Sequence, residues 1–170
     1  GKMRPWHLAA GLFFILGAGT KEGIVAAPLV VLAYDYVFVS GGLRRALARS
    51  PWLYAAFLPG LALLGALAAW GGQDIASHTR VAGPQYTLTQ AQVVWHYIRL
   101  AFWPSPLCFD YGWPPAWFAE AWPHLLGLAA LLGLTAWALK RRHPAGYGAA
   151  WFFLAMAPSS SFLPQPELAD

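Results

Sequence analysis

Residues 51–73 read PWLYAAFLPGLALLGALAAWGGQ, a stretch without a single charge. A helix that crosses the hydrocarbon of a bilayer needs about 20 mostly apolar residues. Ala121–Leu139, AWPHLLGLAALLGLTAWAL, meets the same requirement, with Pro123 predicted in its first turn. Two further runs, 5–20 and 23–40, are parted by Lys21-Glu22, and a fifth over 146–158 is short and closes at Pro158. No run alternates apolar and polar residues as a barrel strand does. In lipid the backbone must bond to itself, so each run is predicted to be a helix.

Composition leads the same way. Of 170 residues, 58% are hydrophobic, 16% aromatic and only 11% charged. Soluble domains carry about a quarter charged residues. This chain therefore lacks the charge to cover a water-facing surface, and has far too much apolar content for a disordered one. The expected class is an all-α, polytopic membrane bundle of about five spans (5–20, 23–40, 51–71, 121–139 and 146–158), with 72–120 as an outer loop. The single cysteine, Cys108, allows no internal disulfide. The chain starts at Gly1 without a signal-peptide pattern and stops in a polar, Pro-rich stretch, so it reads as an internal piece of one longer membrane domain.

The net charge of +4 comes from clusters at span ends rather than from a basic face, which argues against nucleic-acid binding. Lys2 and Arg4 precede the first run, Arg44, Arg45 and Arg49 follow the second, and Lys140, Arg141 and Arg142 follow the fourth. With helices alternating in direction, all three clusters fall on one side, which the positive-inside rule makes cytoplasmic. Lys21-Glu22, the segment 72–120 and the tail from Pro158 then lie outside.

The outer segment opens polar and turn-rich. Thr89-Gln90-Ala91-Gln92 is predicted to cap a helix running through VVWHYIRLAFW to Pro104. Val93, Val94, Tyr97, Ile98 and Ala101 form one face of it; Gln92, His96 and Arg99 form the other. Such a helix, with Trp95 and Trp103 at headgroup level, would lie along the membrane surface.

Several residues could carry chemistry. Lys21 can offer a charge to a phosphate with Glu22 orienting it, or the pair can be a turn that reaches water. Arg99 can bind phosphate bidentately beside His96, or be a solvated interfacial side chain. Asp110 is a lone carboxylate among aromatics, either a weak base or a turn residue. Asp35 reads as a boundary carboxylate or a partner of Arg44 or Arg45. His78, His96 and His124 lack metal-ligand spacing, and no phosphate-loop, dinucleotide or nucleophile-elbow motif occurs. No catalytic residue is assigned.

Taken in order, three stretches resemble a family. TKEGIVAAPLVVLAYDY (20–36) resembles the "(S/T)KE…P…yD" segment of multi-span GT-C glycosyltransferases of the TMTC type and their bacterial tetratricopeptide-repeat relatives. YTLTQAQVVWHYIRLAFWPSPLCFDY (86–111) is similar to that family's outer-loop region ending in "DY", here Asp110-Tyr111. AMAPSSSFLPQPELAD (155–170) resembles the stretch before its "E-R-x-Y-L-P" signature. The resemblance implies transfer of a sugar from a polyprenyl- or dolichyl-phosphate donor to a protein or glycan hydroxyl on the non-cytoplasmic face, as in O-mannosylation. It implies no bound cofactor, and partners limited to membrane lipid, the lipid-linked sugar and a protein acceptor. The membrane would be the bacterial inner membrane, or the ER in a eukaryote. Lys21, Glu22, His96, Arg99, Asp110 and Tyr111 become donor or phosphate candidates, and the family's acidic motif would lie upstream. Two other readings stay open: a non-catalytic anchor for a repeat-containing assembly protein, and a lipid-linked sugar transporter, against which the almost wholly apolar character of 51–73 and 121–139 counts.

Overall fold

The computed structural model describes residues 3–78, 83–105, 107–108, 114 and 116–158, with Glu22, 70–78 and 83–87 as backbone alone. Among these residues every regular element is helical. They run α1 (Pro5–Ala18), a 3₁₀ turn (Glu22–Ala26), α2 (Ala27–Tyr34), a π-helical turn (Asp35–Ser40), α3 (Leu43–Arg49), α4 (Pro51–His78), α5 (Gly83–Phe102), α6 (Phe118–Lys140) and α7 (Pro144–Met156). Three apolar stretches are long enough to cross a membrane: Gly23–Ser40, Pro51–Ala69 and Phe118–Lys140. α1 and α7, with 14 and 13 residues, are each about 20 Å long, short of a hydrocarbon core of roughly 30 Å. Large apolar side chains point outward along the helices, including Trp6, Phe13, Leu58, Leu126 and Trp137. So much exposed apolar surface suits lipid, not water, as the solvent.

Several helix ends differ from the sequence-based expectation, each for a local reason. α5 begins at Gly83, six residues before the predicted cap, with Pro84 in its first turn. The Thr89 hydroxyl is therefore inside the helix and accepts a hydrogen bond from the Ala116 amide instead of capping (2.8 Å). α6 begins at Phe118, leaving Pro123 in the helix interior. Its extra turn starts where the Trp117 carbonyl accepts the Glu120 and Ala121 amides. α7 begins at Pro144 because His143 Nδ1 accepts the Ala145 amide. α4 continues to His78, through residues expected to open a loop. Pro28 has no N–H, so the Ile24 carbonyl accepts from Ala27 and the chain tightens into a 3₁₀ turn before α2.

The chain divides into two compact units, one holding residues up to Gly71 with Leu134–Pro158, the other the described residues between Gly72 and Gly133. In the first, Phe14, Ala18, Phe57 and Leu64 form the core, joined by Ala10, Ile24, Ala27, Val31, Leu53, Tyr54 and Leu61. Phe14 and Phe57 meet edge to face at 5.1 Å. Glycines let the helices approach. Gly11 lies against the Ala56 carbonyl, Gly60 against the Phe14 ring, and Gly146 against the backbone of Ala138 and Leu139. The pairs 11 with 56 and 14 with 60 rise together, so α1 and α4 run parallel. α2 runs against them, since Asp35 near its end meets Tyr54 near the start of α4.

In the second unit α5 buries Thr89, Gln90, Ala91, Val93 and Val94. Trp95 Nε1 donates to the His124 carbonyl (2.9 Å), and its indole lies over Gly127. The expected headgroup tryptophan is thus a packing residue, whereas Trp103 is exposed.

An added Cβ at Gly146 would lie 2.7 Å from two backbone atoms, and at Gly11 2.7 Å from a carbonyl oxygen. Gly146→Ala and Gly11→Ala should each destabilise the solubilised protein by about 1–3 kcal/mol. Gly148, with open space around its Cβ position, should gain about 0.5–1 kcal/mol on change to Ala. Thermal unfolding followed by circular dichroism separates the two outcomes.

Candidate functional site

Lys21 sits where α1 ends. The chain turns there: the Gly17 carbonyl accepts the Thr20 and Lys21 amides and the Thr20 hydroxyl, and the missing Cβ leaves room for Ile24. Lys21 then takes an extended conformation (φ −152°, ψ 134°) and heads the 3₁₀ turn, its carbonyl accepting the Ile24 amide. Both backbone groups of Lys21 are thus bonded, and its side chain is exposed. Glu22 follows as the first residue of the turn. α1 and α4 run parallel and α2 returns, so Lys21 lies at the end of the first unit opposite the α2–α3–α4 connection. That opposite end holds Arg4, Arg44, Arg45 and Arg49. Lys140, Arg141 and Arg142 join them, because the Arg142 guanidinium lies against Gly41. The first unit therefore has one arginine-rich end and one end marked by Lys21.

Near the arginine-rich end sits Asp35, inside the apolar stretch Gly23–Ser40. The π-helical turn stacks residue i+5 over residue i, so Ser40 Oγ donates to Asp35 Oδ1 (2.6 Å). Tyr54 Oη, from α4, donates to Oδ2 (3.3 Å). These two hydroxyls, not Arg44 or Arg45, are its partners. An ionisable group in a span is expensive unless partnered; two donors offset part of that expense. The ring cluster of Tyr34, Phe38, Tyr147 and Trp151, with successive centroids 5.1–5.9 Å apart, packs the same level of α2 and α7. Tyr54 and Ser40 were missed in the sequence. The i,i+5 spacing was the only hint, and α-helical reading puts those positions on different faces.

The other candidates lie in the second unit. Arg99 is exposed in the last turn of α5 and its carbonyl accepts the Trp103 amide. His96, one turn earlier, is half-buried, with Tyr97 edge-on at 6.5 Å. Of the predicted polar face only Arg99 is fully open. Asp110 and Tyr111 lie outside the described residues. Among the described residues no three His, Cys, Asp or Glu side chains converge as metal ligands would.

Comparison with protein families, with curated proteins and with solved structures yields no match.

The Asp35–Tyr54 bond joins two apolar helices, so Tyr54→Phe removes one donor from a carboxylate in a low-dielectric setting. It should destabilise the solubilised protein by about 1–3 kcal/mol. A change within error in the unfolding midpoint would mean that this bond ties nothing together.

Proposed function

We propose that the chain forms part of a GT-C membrane glycosyltransferase. It would transfer a sugar from a polyprenyl- or dolichyl-phosphate donor to a protein or glycan hydroxyl on the non-cytoplasmic face. On this reading the short α1 and α7 join the three long apolar stretches as membrane elements, giving five. The arginine-rich end faces the cytoplasm by the positive-inside rule. The segment 72–120, which contains α5, is proposed to lie outside.

The observation that carries the reading is the setting of Lys21. It is an exposed cation, held at the end of the first unit remote from the arginine-rich end, on a backbone that needs nothing from its side chain. In glycosyl transfer from a lipid phosphate, the anomeric C–O bond breaks and the electron pair leaves on phosphate oxygen. The phosphate is a good leaving group, so it requires a cation to stabilise the growing charge rather than a strong general acid. The acceptor hydroxyl must lose its proton to a base. Lys21 suits the first task, with three donors on a flexible stem. Glu22, next in sequence, is proposed to orient it. Arg99, exposed on α5, is the second position proposed for a phosphate contact, and His96 its neighbour on the same helix. Asp110 and Tyr111 remain donor-site proposals on the strength of the sequence resemblance.

Lys21→Ala and Arg99→Ala, each made alone in the full membrane protein, should weaken binding of a polyprenyl-phosphate sugar. A charge-assisted contact contributes about 1.5–3 kcal/mol, roughly ten- to a hundredfold in Kd. Donor affinity unchanged in both variants removes the assignment.

Sidedness has its own test. In a Cys108→Ser background, Arg45→Cys and Arg80→Cys should react with a membrane-impermeant maleimide from opposite faces of intact cells. Labelling of both from one face would dismantle the proposed topology.

A further inference from the structure

The arginine-rich end of the first unit is built rather than merely charged. α6 finishes in a Schellman turn: the His143 amide reaches the Ala138 carbonyl (2.9 Å) and the Arg142 amide the Leu139 carbonyl (2.8 Å). The residue at the left-handed position of such a turn is ordinarily glycine. Here it is Arg142, at φ 53°, the single non-glycine residue with positive φ among those described. An L side chain is strained there, and a tolerated strain of this kind points to use of the side chain. Its guanidinium lies on Gly41, itself left-handed at φ 64° where the π-helical turn ends. Two left-handed caps thus face each other, and the missing Cβ at Gly41 makes room for the guanidinium.

This contact brings the 41–50 and 140–143 connections together. Arg44, Arg45, Arg49, Lys140, Arg141 and Arg142 are all exposed there. Arg141 lies over the Trp137 ring at 5.8 Å, a position typical of an interfacial cation. Asp35, whose carboxylate is the one described in this unit, is engaged by Ser40 and Tyr54 and does not neutralise the cluster. α3 lies between the connections with Ala46 fully buried, Leu43 and Leu47 exposed on one face, and Arg44, Arg45 and Arg49 on another. A short helix that buries one residue in the bundle, turns leucines outward and adds three arginines has the make-up of an element at the headgroup boundary.

We infer that this end is a binding site for the phosphodiester headgroup of an anionic phospholipid, clamped between α3 and the Arg142 turn. The occupant follows from chemistry. The cluster carries six cations; the guanidinium forks match phosphate oxygens bidentately; and the exposed leucines beside them need acyl chains, which a soluble anion lacks. Each cation near a charged lipid surface contributes about a fivefold preference. The inference does not depend on the glycosyl-transfer reading.

The test uses the full protein in nanodiscs of mixed phosphatidylcholine and phosphatidylglycerol, with retained lipids counted by native mass spectrometry. The wild type should retain phosphatidylglycerol several-fold above its share in the disc. Arg142→Gly relieves the backbone strain, so the thermal midpoint should hold or rise while the enrichment falls about fivefold. The combined Arg44→Gln, Arg45→Gln and Arg49→Gln variant should abolish the enrichment. Enrichment unchanged in both variants overturns the site. Retention that inorganic phosphate competes away overturns the lipid assignment and leaves a free-anion site.

Discussion

Lipid offers a helix neither hydrogen bonds nor a hydrophobic reason to leave it, since acyl chains are as apolar as leucine. Helices in such a solvent associate through close backbone approach and a few well-placed polar bonds. The contacts of the first unit fit that constraint. Its contacts are Gly11 on Ala56, Gly60 on Phe14 and Gly146 on the α6 backbone, where absent side chains admit the neighbouring helix. Its buried core is small, four residues around Phe14 and Phe57, while the large apolar side chains point outward. A water-soluble bundle of this size would have the reverse distribution.

The same constraint explains Asp35. A carboxylate in an apolar stretch must find its donors within the protein, and the nearest helical geometry supplies too few. The π-helical turn brings Ser40 over it, and α4 contributes Tyr54. The turn therefore serves two purposes. It gives the carboxyl group inside the apolar stretch a donor, and it delivers the chain to Gly41, whose left-handed backbone ends the helix and accepts the Arg142 contact. One irregular turn in α2 thus fixes both a polar tie to α4 and the meeting of the two arginine-rich connections.

What the sequence made legible was the part governed by bulk composition. The apolar stretches 23–40, 51–71 and 121–139 each contain or overlap a helix of membrane length. Clustering of Arg44, Arg45 and Arg49 with Lys140, Arg141 and Arg142 at one end agrees with alternating helix directions. Boundaries were less legible, because they depend on single bonds. Thr89 resembles a helix cap in sequence, yet its hydroxyl is committed to Ala116 across 27 residues, a contact no local pattern reveals. Trp95 had the composition of a headgroup residue but packs on Gly127. The partners of Asp35 were invisible because a period of 3.6 residues separates Asp35 from Ser40, and only the wider turn unites them. Arg142 carried no local signal, since nothing in KRRH marks its second arginine as the left-handed residue.

The two ends of the first unit also differ in a way that bears on their proposed uses. At the arginine-rich end the Arg142 guanidinium lies on Gly41 between facing left-handed caps, with five further exposed cations on the same two connections. Arg142, already positioned, has less freedom to lose on binding a phosphate, and several charge-assisted bonds from its neighbours would slow release. That suits a resident lipid. At the other end Lys21 is exposed at a turn that uses its backbone N–H and carbonyl. A single flexible ammonium binds phosphate more weakly and reorients as charge moves from the sugar to the leaving oxygen. An enzyme that must release a lipid phosphate after every transfer gains rate only from contacts stronger in the transition state than in the ground state. A single cation on a flexible stem fits that demand better than a cluster of arginines, which would hold product as firmly as it stabilised its formation.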